Sequence, residues 1–321
     1  MGAREPSARH YFLVAKRILE GEVVPFLGAG ANLCGRPDGL TWSETGEFLP
    51  DGYELAATLA AEVGYPDPED RDLKRISQYV HSVLGWKPLY KYVRAPLQAV
   101  YPPTALHHSL AAIAQILRER GVPRQIILTT NYDDALERAF EQAGEPYDLI
   151  WYESQADRPD CGRFIHRQEP TPVPIVVPNR YLDLDPDERT VIVKLHGAMV
   201  RGDPALDSYV ITEDDYIRYL TRSDIAGQLP ALVRQRLLER HLLFLGYSMR
   251  DWNLRVVMQR LAGDGALANQ SWSIQREPAS AATAEIELTL WEDRDVELLF
   301  VLLEDYVARL KQELERLAES A

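Results

Sequence analysis

The sequence predicts an α/β fold, a parallel sheet covered by helices on both faces, with a helical module inserted into it. Three observations carry this expectation. Short runs dominated by apolar residues recur at 23–27, 125–129, 191–195 and 241–245. A strand buried on both faces reads this way, because neither side of it meets water. Helical periodicity fills the intervals between the runs. Finally, each run ends in an unusual polar cluster: Gly28-Ala29-Gly30, Thr130-Asn131-Tyr132-Asp133, His196-Gly197 and Gly246-Tyr247-Ser248. Parallel sheets bind ligands beyond the carboxyl ends of their strands, so one crevice is expected to hold all four clusters.

The elements follow in order. Ser7 is placed to cap a helix that runs to about residue 19, and Gly21 ends it. The run at 23–27 then meets Gly28-Ala29-Gly30. These glycines permit unusual backbone angles and leave no side chain in the way, so the loop amides can approach a phosphate. A plain tight turn is the other reading, because Leu33 stands where the full dinucleotide pattern has its third glycine. Residues 34–51 carry Gly35, Pro37, Gly39, Gly46 and Pro50 with little periodicity, a loop long enough to serve as a lid or a binding loop. From 53 to 120 the pattern is helical: Leu55, Leu59 and Val63; Leu73, Ile76, Val80 and Leu84; Tyr90, Val93 and Leu97; then 106–117 after Pro102-Pro103. Residues 52–120 are therefore read as a helical module inserted in a single domain spanning 1–321.

The run at 125–129 leads through the Asn131 cluster into a helix carrying Leu136, Ala139 and Phe140. Residues 148–151 read as a strand, and 152–190, rich in Pro, Asp and Arg, as irregular. The run at 191–195 ends at His196-Gly197. Residues 209–211 are short and extended. Thr212 then caps a helix with Glu213, Asp214 and Asp215 in its first turn, where carboxylates suit the helix dipole. A helix at 229–239 precedes the run at 241–245, and another is expected at 252–261. Strands at 272–274 and 296–301 flank a helix at 284–291, and an amphipathic helix at 306–317 closes the pattern.

Composition narrows the function classes. The chain has 321 residues and a formal net charge of -14. An acidic surface argues against a sequence-independent grip on nucleic acid, which needs a basic face. Two cysteines, Cys34 and Cys161, cannot supply a four-thiolate zinc site, and their number suits a reducing compartment. Arg4, Glu5, Arg9 and Lys16 interrupt the N-terminus, so no apolar signal core is seen, and no run approaches a membrane span of about 20 residues. A soluble, cytoplasmic protein is expected. Tyr79, Trp86, Tyr90 and Tyr92 in the module, together with the terminal helix, suggest self-association into a homo-oligomer; an internal core is the alternative use for such residues.

Each candidate residue has an ordinary reading beside the functional one. Asn131 suits an Asx turn that opens a helix, and Asp133 a first-turn carboxylate. His196 suits a core histidine bonded to backbone, or a general base at a strand end. Ser248 and Asp251 each suit a helix cap. His107-His108, without nearby cysteine, is read as surface or interface rather than metal-binding.

The ordered set is more specific than its parts. Pro25-Phe26-Leu27-Gly28-Ala29-Gly30-Ala31-Asn32, Thr129-Thr130-Asn131-Tyr132-Asp133, Lys194-Leu195-His196-Gly197 and Leu245-Gly246-Tyr247-Ser248 with Asp251 resemble the sirtuin family. The likeness is to the sirtuin-like NAD-cleaving proteins of bacterial anti-phage defence in particular, and it extends from residue 23 to about 310. It implies a Rossmann-like NAD site. Residues Gly28, Ala29, Gly30, Ala31 and Asn32 would meet the pyrophosphate. Asn131 would sit by the nicotinamide ribose, Asp133 would line the nicotinamide pocket, and His196 would be the catalytic histidine. Gly246 and Ser248, with Asp251 counted beside them, would face the adenosine side.

The sequence departs from deacetylase sirtuins. Thr130 replaces their glutamine, their four-cysteine zinc module is absent, and helices at 53–120 stand in place of their small domain. Protein deacetylation is therefore not expected, whereas NAD hydrolysis needs only water as acceptor and no metal. Asn131 would orient that water or the ribose hydroxyls, and His196 would accept a proton. The alternative is a non-catalytic module that senses NAD or ADP-ribose in a defence complex. The resemblance also implies a partner acting in trans, such as a HerA-type ATPase or a short Argonaute.

Overall fold

The computed structural model describes residues 5–221, 225–249, 254, 258, 269–278 and 280–319. Helix α1 (Ala8–Leu19) is capped by the Ser7 hydroxyl, which accepts from the His10 amide at 3.2 Å, and leads into β1 (Val23–Leu27). Four helices follow: α2 (Gly52–Val63), α3 (Leu73–Leu84), α4 (Trp86–Leu97) and α5 (Ala105–Glu119). Then come β2 (Ile126–Thr129), α6 (Ala135–Ala143), β3 (Tyr147–Tyr152), β4 (Phe164–His166), β5 (Val173–Pro174) and β6 (Thr190–Lys194). A small hairpin, β7 (Gly197–Ala198) and β8 (Ser208–Tyr209), precedes α7 (Glu213–Thr221), α8 (Ile225–Gln228) and α9 (Ala231–Glu239). Strands β9 (His241–Leu245), β10 (Ser271–Gln275) and β11 (Val296–Phe300) follow, with helix Ala281–Glu292 between the last two and helix Leu303–Glu319 after them. The helix expected at 252–261 lies outside the described residues.

The sheet is ordered β11-β10-β9-β1-β2-β6-β3-β4-β5, and it is parallel from β11 through β3. Alternate residues of each central strand enter two different cores, as a period of two demands. Val23 and Leu27 of β1, Ile127, Ile192, Leu243 and Leu245 pack with α1, α5, α6 and the terminal helix. Val24 and Phe26, Ile126, Leu128, Val191, Val193, Leu242 and Phe244 face the opposite side with Tyr219, Val233 and Trp291. Both faces are covered, which is why the runs carry no polar stripe. This is the Rossmann-like α/β arrangement the sequence predicts. The chain leaves β1 toward β2 and later returns to β9 on its other side. The order therefore reverses at β1, and a crevice opens above that point.

Several expectations change. Strands β4 and β5 fall in the stretch read as irregular, and they extend the sheet by antiparallel pairing. At three and two residues they are too short for any periodicity to register. Within the stretch expected as an inserted module, 52–120, helices α2 to α4 bury Leu55, Leu59, Ile76, Val80, Leu89 and Val93 in a cluster that also takes in Ala135, Met199, Tyr209 and Ile211. Helix α5 instead buries Leu106, Leu110, Ile113 and Leu117 with α1 and the terminal helix. An amphipathic pattern states that a helix has an apolar face but not which core will take it. The terminal helix likewise spends Tyr306, Val307, Leu310 and Leu314 on this core. Tyr90 packs edge-on against Tyr209, with ring centroids 4.8 Å apart.

Candidate functional site

The four polar clusters do converge. Gly28, Ala29, Gly30, Asn32, Asn131, Asp133, His196, Gly246 and Ser248 all line one cleft with a volume of about 1170 Å³. It lies beyond the carboxyl ends of β1, β2, β6 and β9. Ala31 does not line it; that side chain is fully buried in the core, and its amide bonds to the Gly28 carbonyl at 3.0 Å. Asp251 lies outside the described residues.

The glycine loop is built by backbone contact with the second glycine turn. The Gly30 amide donates to the Gly246 carbonyl at 2.8 Å, and the Gly28 amide to the Leu245 carbonyl at 3.1 Å. A β-carbon on Gly28 would lie 2.6 Å from the Gly246 oxygen, and one on Gly30 would lie 2.8 Å from it. These two amides are thus committed to the fold rather than to a phosphate. The glycines serve first to let two loops touch, a role the sequence reading did not assign them.

Asn131 spans the switch point. Its Nδ2 donates to the Gly28 carbonyl at 3.0 Å, and its amide donates to the Thr129 hydroxyl at 3.0 Å. This is more than an Asx turn, because the side chain ties the end of β2 to the end of β1. Asp133 has two loads. Its Oδ1 accepts from the Ala135 amide at 3.0 Å, opening α6, and its Oδ2 accepts from Asn32 Nδ2 at 2.6 Å. Asn32 is 8% exposed, and its Oδ1 has no partner among the described residues.

His196 is held by its backbone. Its carbonyl accepts from the Val210 amide at 2.8 Å, and Gly197 then takes φ +91°, where a β-carbon would strike the Ser208 carbonyl at 2.1 Å. Only glycine permits this hairpin. The ring lies edge-on to Tyr216 and Tyr219 of α7, with centroids 5.5 and 5.3 Å away. Its Nε2 is buried without a partner among the described residues, and burial pushes its pKa down to about 4. The imidazole is therefore neutral near pH 7.

Other residues of the cleft were missed. Arg36 and Glu54 meet at 2.5 Å; the guanidinium also donates to the Leu40 carbonyl, and Glu54 accepts from the Trp42 and Asp51 amides. Burial pushes the Glu54 carboxyl up, but these donors outweigh it and hold it at about 2. The loop at 34–51, expected to be long enough for a lid or binding loop, is clasped by this pair. A partnership across 18 residues leaves no periodic signal. The pair His107-His108 divides: His108 is exposed, whereas His107 is buried and accepts from the Thr104 amide at 3.1 Å to start α5. Among the described residues no group of three or more His, Cys, Asp or Glu side chains is placed to hold a metal ion, and no helix is long and apolar enough to cross a membrane.

Residues 125–299, more than half of the chain, match the SIR2-like domain. The chain belongs to the SIR2-like family. An NAD(+) hydrolase, ThsA, from Acinetobacter baumannii (strain 532279) is 25% identical over 254 residues. The aligned stretch covers 77% of this chain and 41% of that protein, so the chain spans less than half the length of its relative. The SIR2-like match includes Asn131, Asp133, His196, Gly246 and Ser248, but it begins after the glycine loop. Parallel pairing of β1 with both β2 and β9 carries the loop to the SIR2-like residues.

Proposed function

We propose that this chain is an NAD(+) glycohydrolase, converting NAD and water to ADP-ribose, nicotinamide and a proton. One observation carries the reading: two buried polar atoms beside a glycine-lined cleft, His196 Nε2 and Asn32 Oδ1, have no partner among the described residues. A buried polar atom left unpaired costs free energy, so two of them in one cleft are what a ligand site would leave. The likeness to an NAD(+) hydrolase supports the identity of that ligand.

In this reading the dinucleotide lies across the switch point. Its pyrophosphate lies against the cleft-lining face of the glycine loop at Ala29, its adenosine lies toward Gly246 and Ser248, and its nicotinamide lies toward Asn32 and Asp133. Cleavage of the N-glycosidic bond gives the ribose oxocarbenium character and releases a neutral base. Asn131, fixed through its Nδ2, offers its remaining carboxamide oxygen to orient water or a ribose hydroxyl. A neutral His196 avoids repulsion with the positively charged nicotinamide ring. With its pKa near 4 it is a weak base. It suits late acceptance of a proton from water already bonding to an electron-poor carbon. The biological setting proposed is anti-phage defence, in which turnover depletes the nucleotide.

The test is chromatographic measurement of nicotinamide released from NAD by wild type, Asn131→Ala and His196→Ala. Each variant should turn over roughly 10²–10⁴-fold more slowly, the range for loss of a positioned acid–base or orienting group. Calorimetric binding of ADP-ribose should change little. Equal rates in all three proteins would refute the assignment. Binding of NAD by wild type without any nicotinamide release would favour the sensor reading instead.

A further inference from the structure

Lys194 is the last residue of β6, and its side chain is 0% exposed. An ammonium in a strand buried along its whole length is costly, so its surroundings must answer it. Three acceptors do. Nζ lies 2.5 Å from Glu137 Oε1, donates to the Tyr132 carbonyl at 3.4 Å, and donates to the Asp133 carbonyl. Glu137 comes from the first turn of α6 and is itself buried; burial raises its carboxyl above the usual range and the Lys194 charge opposes this.

The position of these contacts is informative. Tyr132 and Asp133 directly follow Asn131, and Lys194 stands two residues before His196. The Lys194 ammonium therefore joins the chain segment that carries one candidate catalytic side chain to the segment that carries the other. The neighbouring backbone bonds run the same way: the Leu195 amide donates to the Thr129 carbonyl at 2.8 Å, and the Met199 amide to the Tyr132 carbonyl at 2.8 Å. Two carbonyls of one turn converge where only a donor can hold them. A hydrophobic pair of similar volume is often as stable as a buried ion pair, but it could not donate to the Asp133 carbonyl, so the ammonium answers the turn as well as Glu137.

We propose that Lys194 and Glu137 are a buried positioning pair that sets the separation of Asn131 from His196. The proposal rests on the NAD-cleaving reading above for its catalytic consequence, but not for its structural one. Lys194 touches no substrate in this scheme; it acts through the carbonyls of the Asn131 turn.

The experiment uses the double variant Lys194→Met with Glu137→Leu, which removes both charges together, and Glu137→Gln, which keeps an acceptor for Nζ. The double variant should fold, with a melting temperature only a few degrees below that of wild type, because the Asp133 carbonyl loses its donor. Its crystal structure should show the 131–133 turn displaced relative to His196 by more than about 0.5 Å, the tolerance of a positioned site. Its kcat for nicotinamide release should fall by roughly 10²-fold, the cost of a displacement on the 1 Å scale, with KM altered less than about threefold. Glu137→Gln should retain most of kcat. A double variant whose turn is superposable on wild type overturns the proposal whatever its activity. A displaced turn with unchanged kcat overturns the catalytic consequence. Loss of activity matched by loss of melting temperature in all variants assigns the pair to stability alone. Inactive wild type with a displaced turn in the variant would count against the glycohydrolase reading and leave the positioning role standing.

Discussion

Replacing Gly246 by alanine should separate the two glycine loops, and the cost can be worked from their contact. Gly246 has φ +66°, a left-handed conformation that costs an alanine about 1–2 kcal/mol. The new β-carbon would lie 2.3 Å from the Ala31 nitrogen and 2.5 Å from the Gly30 carbonyl carbon. To regain ordinary contact the loops must part by about 1 Å. That motion breaks the 2.8 Å bond from the Gly30 amide to Gly246 and loosens the 3.1 Å bond from Gly28 to Leu245. Each net hydrogen bond contributes about 0.5–1.5 kcal/mol. The total loss should be about 2–5 kcal/mol. Gly39 provides the control, since it has φ +77° with nothing within 4 Å of its β-carbon. Gly39→Ala should lose only the conformational part, about 1–2 kcal/mol at most. Urea unfolding of the two variants at pH 7.5 measures the difference directly, and calorimetry with ADP-ribose reports whether the cleft has opened. If both variants lose the same stability, within about 0.5 kcal/mol, the close approach of the loops is not what demands glycine.

Acid should destabilise the fold through its buried histidines. Burial pushes the pKa values of His10, His107 and His196 down to about 4, whereas an unfolded chain titrates them near 6.5. The unfolded state then binds protons that the folded state refuses, so stability is full above pH 6.5 and is lost as pH falls toward 4. His196→Gln should reduce the stability difference between pH 7 and pH 5 by about 2 kcal/mol; an unchanged difference would contradict the buried neutral ring. Arg36→Met should cost about 1–3 kcal/mol and expose the 34–51 loop to chymotrypsin near Leu40 and Trp42, because the clasp on Glu54 is gone. Cleavage no faster than in wild type would show that other contacts hold the loop.

The sequence alone determined the parallel strands of the sheet but not its antiparallel edge, β4 and β5. Strands buried on both faces are apolar at most positions, and that constraint is local, so the runs at 23–27, 125–129, 191–195 and 241–245 declare themselves. It also determined which residues follow the strands, and therefore that Asn131, His196 and the two glycine turns share one end of the sheet. Tertiary structure decided what those residues do to one another. The partners of Lys194, Arg36 and Gly30 are Glu137, Glu54 and Gly246, and nothing periodic links any of these pairs. The capping role of His107 depends on Thr104 meeting its ring, and the placement of α5 depends on which of two cores lay beside its apolar face. A pattern along the chain records how a residue relates to solvent, because burial acts on each position separately. The pairing of one buried group with another is a property of two distant positions at once, and only the packed fold brings them together.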